Sequence, residues 1–313
     1  MITFGPIPSR RLGRSLGINN IPPKICTYSC VYCQVGRTVN MQIKRYPFYD
    51  PHEIFIEVKD KVRKAKEMEE IIDYLTFVPD GEPTLDAYLG QEIDLLKPLG
   101  IKIAVITNSS LIRHKGVQED LRKADWVSLK IDTLDKKTWR KINRPHGKMR
   151  FNDIIKGIYE FAQSYAGFLA TETMFIKGIN DDLSKINELA DFLALLKPDV
   201  AYIAIPNRPP AEEWVNRVDE DFLLQAYQIF SNRLEKVECL AEYEGNGFVS
   251  TGDVEEDLLN ITAVHPMREE AVKKILSKKN SNWSVIKNLV AKDQLIKKEY
   301  EGSTFLVRRF SKQ

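Results

Sequence analysis

Three of the four cysteines in this 313-residue chain fall within eight residues, as Cys26-Thr-Tyr-Ser-Cys30-Val-Tyr-Cys33. Three thiolates this close converge on one metal centre, and cysteine thiolates are the standard protein ligands of iron–sulfur clusters. A structural zinc would need a fourth ligand in tetrahedral arrangement. It would have to borrow Cys239, His52, His114, His146 or His265, none of which stands at a zinc-finger spacing. A disulfide is disfavoured because Met1-Ile-Thr-Phe-Gly-Pro lacks the charged start, apolar stretch and cleavage site of a secretory signal. The expectation is a cytoplasmic protein whose thiols stay reduced. Cys239, in Val237-Glu-Cys-Leu-Ala-Glu, reads as a buried strand residue packing as a small hydrophobe.

Positioning such a loop requires a scaffold, and the pattern from about residue 15 to 235 supplies one. Short apolar, β-branched runs alternate with longer helix-period segments, which predicts an α/β fold of repeated βα units around a parallel sheet. The strands are predicted at Ser15–Asn19, Tyr74–Val78, Lys102–Thr107, Trp126–Ile131, Phe168–Phe175 and Val200–Ile205. Helices are predicted at Glu53–Lys66, Leu85–Leu96, Val117–Lys123, Asn152–Tyr165, Leu183–Leu196 and Asp221–Leu234. Six βα units are two short of a closed eight-unit barrel. In folds of this kind the chemistry sits on the loops after the strands, and the cysteine loop directly follows the first strand.

Further polar groups stand at the other strand ends. After the second, Asp80-Gly81-Glu82-Pro83 makes a turn in which Gly81 permits close backbone approach and Glu82 can hold an ammonium by a charge-assisted hydrogen bond; taken alone it is an ordinary turn before a helix. After the third, Asn108 and Ser109 offer short polar groups, with a helix cap as the alternative. Ser128, Lys130 and Asp132 alternate with apolar residues, which points all three to one side, the barrel interior. Burying Lys130 beside Asp132 is costly unless it serves a ligand or a structural ion pair. After the fifth strand, Gly178 and Asn180 form either a turn or a backbone approach to a ligand. Arg10, Arg11 and Arg14 could grip phosphates or a carboxylate bidentately, or form a solvated basic loop. Arg208, flanked by Asn207 and Pro209-Pro210, is a better candidate for orienting substrate. The four histidines are given no role, and no Walker or dinucleotide fingerprint is present.

The Gly-rich stretch Gly245–Gly252 breaks the periodicity and divides the chain into residues 1–244, a linker at 245–253, and a small unit at 254–313. In the last, helices are predicted at Val254–Asn260, Glu269–Lys279 and Trp283–Lys292, then a hairpin of Leu295–Tyr300 with Thr304–Phe310, an order that resembles a winged helix. Charge is uneven although the net is +2: residues 261–313 hold 12 Lys and Arg against 5 Asp and Glu. Lys287, Lys292, Arg308 and Arg309 are the candidate contacts to an anionic macromolecule. No window approaches the uncharged apolar run that a membrane helix needs.

The cysteine spacing, with Tyr32 before the last ligand, resembles the signature of the radical S-adenosylmethionine (SAM) enzymes. The resemblance implies three cysteines on three irons of a [4Fe–4S] cluster, SAM chelating the fourth, and an open six-unit partial barrel. Asp80-Gly-Glu resembles the family's Gly-Gly-Glu motif, whose backbone and acid meet the SAM amino group, with Asp80 replacing its first glycine. By the same likeness Tyr32 lies against adenine, Asn108, Ser109, Ser128, Lys130 and Asp132 meet other parts of the cofactor, and Gly178 approaches adenine. The chemistry implied is reductive cleavage of SAM to a 5′-deoxyadenosyl radical that abstracts hydrogen, with an external reductant such as flavodoxin or ferredoxin. Phe4–Gly17 and Ile203–Glu212 narrow the likeness to the group related to wyosine-tRNA synthases, which suggests tRNA as substrate, with a peptide or protein as the alternative. A different class is a regulator that binds nucleic acid and senses redox state with its cluster. Those synthases carry a second cluster on three additional cysteines, which Cys239 alone cannot supply.

Overall fold

The structure is a computed structural model describing residues 2–241, 248 and 253–309. The chain opens with an antiparallel pair, β1 (Thr3–Ser9) and β2 (Gly13–Ile18). Two-residue strands β3 (Ile25–Cys26) and β4 (Asn40–Met41) then bracket the cysteine loop. After α1 (Pro51–Glu67) come β5 (Tyr74–Phe77), α2 (Leu89–Leu96), β6 (Lys102–Thr107), α3 (Lys115–Leu121), β7 (Trp126–Lys130), α4 (Lys136–Asn143), α5 (Phe151–Ala162), β8 (Phe168–Met174), α6 (Leu183–Leu196), β9 (Val200–Ala204), α7 (Glu220–Ser231) and β10 (Val237–Leu240). Among the described residues the main sheet runs β1-β2-β5-β6-β7-β8-β9-β10, parallel from β2 onward.

Alternation along each strand sorts two cores. Leu75, Phe77, Ile103, Val105, Val127, Leu129 and Ile203 pack against Val58, Ile93, Leu121, Phe161 and Leu193 from the helices. The opposite face carries Ala104, Trp126, Ala170, Val200, Tyr202, Ala204 and Leu240, with Leu12. Three alanines there leave room inside the curve of the sheet, and the strands read as continuous apolar runs because both faces are covered.

All six predicted strands and their helices are present within a few residues, in a curled partial barrel. Two strands extend the predicted sheet. β1 was hidden by Gly5-Pro6 and Pro8, residues that edge strands tolerate. β10 adds a seventh parallel strand beyond β9, and its Cys239 is exposed, which corrects the expectation of a buried thiol. The short α4 was also missed, because its apolar positions reduce to Trp139 and Ile142 among charges. Asp135 caps it, accepting from the Thr138 N–H at 2.8 Å.

The C-terminal segment comprises α8 (Val254–Val264), β11 (Met267–Arg268), α9 (Glu269–Lys278), α10 (Ser284–Ala291), β12 (Leu295–Tyr300) and β13 (Ser303–Arg308), with sheet order β11-β13-β12. Of the expected linker, residues 245–247 and 249–252 lie outside the described residues, as does Phe310 of the expected wing. Leu258, Ile261, Ile275, Leu289 and Leu306 share one core with Phe4 and Ile7 of β1. Lys61 of α1 meets Asp257 at 3.0 Å, and the Tyr300 hydroxyl donates to the Pro206 carbonyl at 3.1 Å. This segment therefore closes over the β1 edge. Two of its expected phosphate contacts already face carboxylates: Lys292 stands 3.6 Å from Glu255 and Arg309 stands 2.7 Å from Asp293.

One buried carboxyl on α2 gives the fold a pH signature. Burial and the neighbouring Asp86 push Glu92 up to about 9, while the Asn20 amide, donating at 3.2 Å, opposes the shift. A carboxyl raised on folding keeps its proton in the native state, so stability falls as pH climbs from the unfolded value near 4.5 toward 9. Glu92→Gln mimics the protonated form. Urea unfolding at pH 6 and pH 8.5 should show wild type losing stability relative to the variant as pH rises; parallel pH profiles would contradict the assignment.

Candidate functional site

The cysteine loop is fastened to the strand ends chiefly by backbone. The Glu82 N–H donates to the Ile25 carbonyl at 3.2 Å, and a Cβ on Gly81 would fall 1.9 Å from that same oxygen. Gly81 is thus required for strand-to-loop contact. The Lys24 N–H reaches the Asp80 carbonyl at 2.8 Å, and its ammonium lies 3.3 Å from the Asp80 carboxylate. Burial pushes Asp80 up to about 6, partly offset by Lys24. The acid in place of a motif glycine therefore has a partner on the loop it supports. On the far side, the Val31 N–H donates to the Ile142 carbonyl at 2.9 Å and the Ser29 N–H to the Asn143 carbonyl at 3.0 Å. The Glu212 N–H reaches the Val31 carbonyl at 3.1 Å, while its carboxylate accepts from Arg37 at 2.8 and 2.9 Å and from Arg144 at 2.5 Å.

The three thiols are free and partly buried. Burial pushes all three up, Cys30 to about 12, so each stays protonated unless a cation compensates its thiolate. Asparagine amides approach two of the sulfurs: Asn108 Nδ2 lies 3.5 Å from Cys26 Sγ and Asn143 Nδ2 lies 3.4 Å from Cys30 Sγ. Among the described residues no three His, Cys, Asp or Glu side chains converge on a single-ion position. A cluster does not require that, since each thiolate takes its own iron. Three soft sulfur donors on one loop, two of them met by asparagine amides, fit an iron–sulfur cluster.

Behind the loop, Glu82 is a buried hub. Its carboxylate accepts from the Thr84 N–H at 3.1 Å, the Thr84 hydroxyl at 2.5 Å, the Thr107 hydroxyl at 2.6 Å and the Asn108 N–H at 2.7 Å. Burial still raises it, with those bonds opposing. Four donors largely fill its lone pairs, so the carboxylate expected to face an ammonium mainly ties the ends of β5 and β6 together. The Tyr32 hydroxyl donates to Asp132 at 2.6 Å, and Asn143 Nδ2 reaches the same oxygen at 2.8 Å.

Inside the barrel, Lys130, Glu172 and Tyr202 occupy one row, directly paired across β7, β8 and β9. Lys130 contacts Glu172 at 2.8 Å and Arg11 contacts it at 2.5 Å. Burial opposes the Glu172 charge, but Arg11 and Lys130 outweigh it and bring the carboxyl to about 2. Burial likewise works against the Lys130 ammonium, and Glu172 with Asp132 holds it above its ordinary value. The sequence favours a ligand contact for Lys130 and Asp132 over a structural ion pair; in the structure Lys130 ion-pairs with Glu172, and Asp132 accepts from Tyr32 and Asn143. A cavity of about 270 Å³ opens over this row, with Tyr32, Cys33, Arg10, Arg11, Arg208 and His265 in its wall.

Of the expected cofactor contacts, Tyr32 and Lys130 line this cavity, while Asn108, Lys130 and Asp132 line a void of about 20 Å³ beside Trp139. Ser128 faces inward one row deeper, and Ser109 is buried in a left-handed turn with its N–H on Thr107. Gly178 is a turn residue at φ 73° whose N–H donates to Asp181 at 2.7 Å, with open space where a Cβ would stand. The Asn180 side chain is spent on the Ile176 N–H and the Asp132 and Met174 carbonyls. Arg208 bonds Gln34 at 2.7 Å and His265 at 3.1 Å, so one histidine read as having no role stands at the cavity. Glu172 and Asn143 were missed. Glu172 had a signal, an acid at an inward period-2 position of a buried strand; Asn143 had none before α4 was known.

Residues 20–193 match the Radical SAM superfamily. A UPF0026 protein of Methanocaldococcus jannaschii is 46% identical over 309 residues, 98% of this chain and 96% of that one. A UPF0026 protein of Helicobacter pylori is 31% identical over 278 residues, 88% of each chain. A solved structure described as TYW1 with a lysine-pyruvate adduct bound superposes with TM-score 0.53 at 18% identity, over 71% of this chain and 74% of that one, a likeness of fold.

The Gly81 contact makes a sharp prediction. Gly81→Ala cannot be accommodated without displacing the Ile25 backbone, so the purified protein should keep its circular dichroism yet retain less than about half the wild-type iron, an overlap of backbone being among the costlier substitutions. Wild-type iron content in Gly81→Ala would show that the loop docks some other way.

Proposed function

The chain belongs to the radical SAM superfamily and is an enzyme of that type, and from this premise we propose that Cys26, Cys30 and Cys33 hold one [4Fe–4S] cluster with SAM bound beside it. The carrying observation is the trio of free cysteines on a loop fastened to the barrel's strand ends, two of them facing asparagine amides. When bound, the cluster and SAM supply a 5′-deoxyadenosyl radical that abstracts hydrogen from substrate. This chain's own residues do the positioning. Asn108 and Asn143 direct N–H groups at sulfur, which stabilises thiolate charge. Asp132 fixes the Tyr32 ring next to the last ligand, and Lys130 sits 4.8 Å from the centre of that ring. Val264 and His265 of the C-terminal segment complete part of the cavity wall.

For a macromolecular substrate such as tRNA, the support is the basic balance of residues 261–313. The carboxylates facing Lys292 and Arg309 weaken it, so the proposal is confined to hydrogen abstraction. An external reductant of the flavodoxin or ferredoxin kind completes the reading.

Anaerobic reconstitution tests it. Wild type should hold about four irons per chain and, with dithionite and SAM, release 5′-deoxyadenosine; the triple Cys26, Cys30, Cys33→Ala variant should lose both. Zinc without iron, or a full cluster in the triple variant, would end the reading.

A further inference from the structure

The inner wall of the barrel carries a cationic donor that its carboxylates leave unused, the Arg11 Nε. We propose that an anionic group of the substrate, a phosphate or a carboxylate, binds against Arg11 and Lys130 in the cavity beside Tyr32 and Cys33. This substrate assignment rests on the radical SAM reading above; the anion site itself stands on the geometry.

Glu172 is the one carboxylate among the described residues lining the cavity, and both Arg11 and Lys130 close on it. Glu172 takes one arm of Arg11 and the Lys130 ammonium, and Asp132 is a further negative neighbour of Lys130, so what the cavity offers an anion is unused donors held by fixed cations. The guanidinium of Arg11 has one arm on Glu172, while its Nε is buried without a protein acceptor. An arginine used on one arm retains donors for planar, bidentate recognition of carboxylate or phosphate. The stem is held in place, with the Arg11 guanidinium 5.9 Å from the centre of the Tyr202 ring. Lys130 adds a second charge from an adjacent wall, and its approach to the Tyr32 ring brings the anion next to the residue preceding Cys33. Arg10 and Arg208 line the same cavity and reinforce its sign.

The triad also separates this role from a structural one. Removing Arg11 should weaken anion binding, whereas removing the Glu172 charge frees both cations and should strengthen it. A purely structural ion network predicts no anion binding to change. Calorimetric titration of the full-length protein at low salt, with inorganic pyrophosphate and with malonate as probes, reads this directly. Wild type should bind at least one probe, and the tighter one names the class. Arg11→Gln should weaken binding about ten- to hundredfold, the loss of a charge-assisted contact, and Glu172→Gln should tighten it. Arg11→Lys keeps the pair with Glu172 and the fold but loses the fork, so it should also weaken binding without lowering the melting temperature. The titration is repeated with SAM saturating. Persistence of binding supports a substrate anion, and abolition assigns the site to the SAM carboxylate and overturns the proposal, as would failure of both probes or equal affinities in all variants. Release of 5′-deoxyadenosine by the same preparation is scored separately: SAM cleavage without anion binding removes the anion site alone, and anion binding without cleavage removes the radical reading alone.

Discussion

Much of the site depends on one close backbone contact, the carbonyl of Ile25 against the unsubstituted Cα of Gly81. It docks the loop that carries all three clustered cysteines onto the end of the second parallel strand. From there the hydrogen bonds of Glu82 extend the support to the third strand, through Thr107 and Asn108. Asn108 then returns to the loop, reaching Cys26 Sγ and the Thr27 hydroxyl. Two consecutive strand ends and the cysteine loop become one hydrogen-bonded unit, so the sulfurs are positioned by the rigid sheet and not by a free loop.

The opposite side of the loop is held differently. Asn143, at the last turn of a short helix, gathers Cys30, Tyr32 and Asp132, and Glu212 draws Arg37 and Arg144 together across the loop's outer face. Below lies the row of Lys130, Glu172 and Tyr202, set by strand register alone. Inward positions of a curved sheet must be small, apolar or paired. Here alanines give space while the charged row gives polarity, and the C-terminal segment, packed on β1, adds Val264 and His265 to the cavity wall.

The parts of this arrangement legible in the sequence were those with local signals. Cysteine spacing, six apolar runs and turn residues at the strand ends lie within short windows, and of the residues they singled out Tyr32, Cys33 and Lys130 line the cavity. Asp80 and Glu82 fell at the right strand end, but their partners come from Lys24, Thr107 and Asn108, brought close only by tertiary folding. Periodicity puts Lys130 and Asp132 on one side of their strand but carries no register, so it does not show that Lys130 meets Glu172 across the ladder. His265 at the cavity wall has no motif at all, since its place is set by packing of the C-terminal segment on the first strand.

The central claim is that this scaffold presents one cluster to SAM. Electron paramagnetic resonance of the anaerobically reduced protein, recorded before and after adding SAM, tests it most directly. The account predicts the signal of about one [4Fe–4S]⁺ cluster per chain, with g-values that shift when SAM binds at the iron left without a cysteine. A reduced cluster whose spectrum is indifferent to SAM, or no cluster signal in iron-loaded protein, would contradict it.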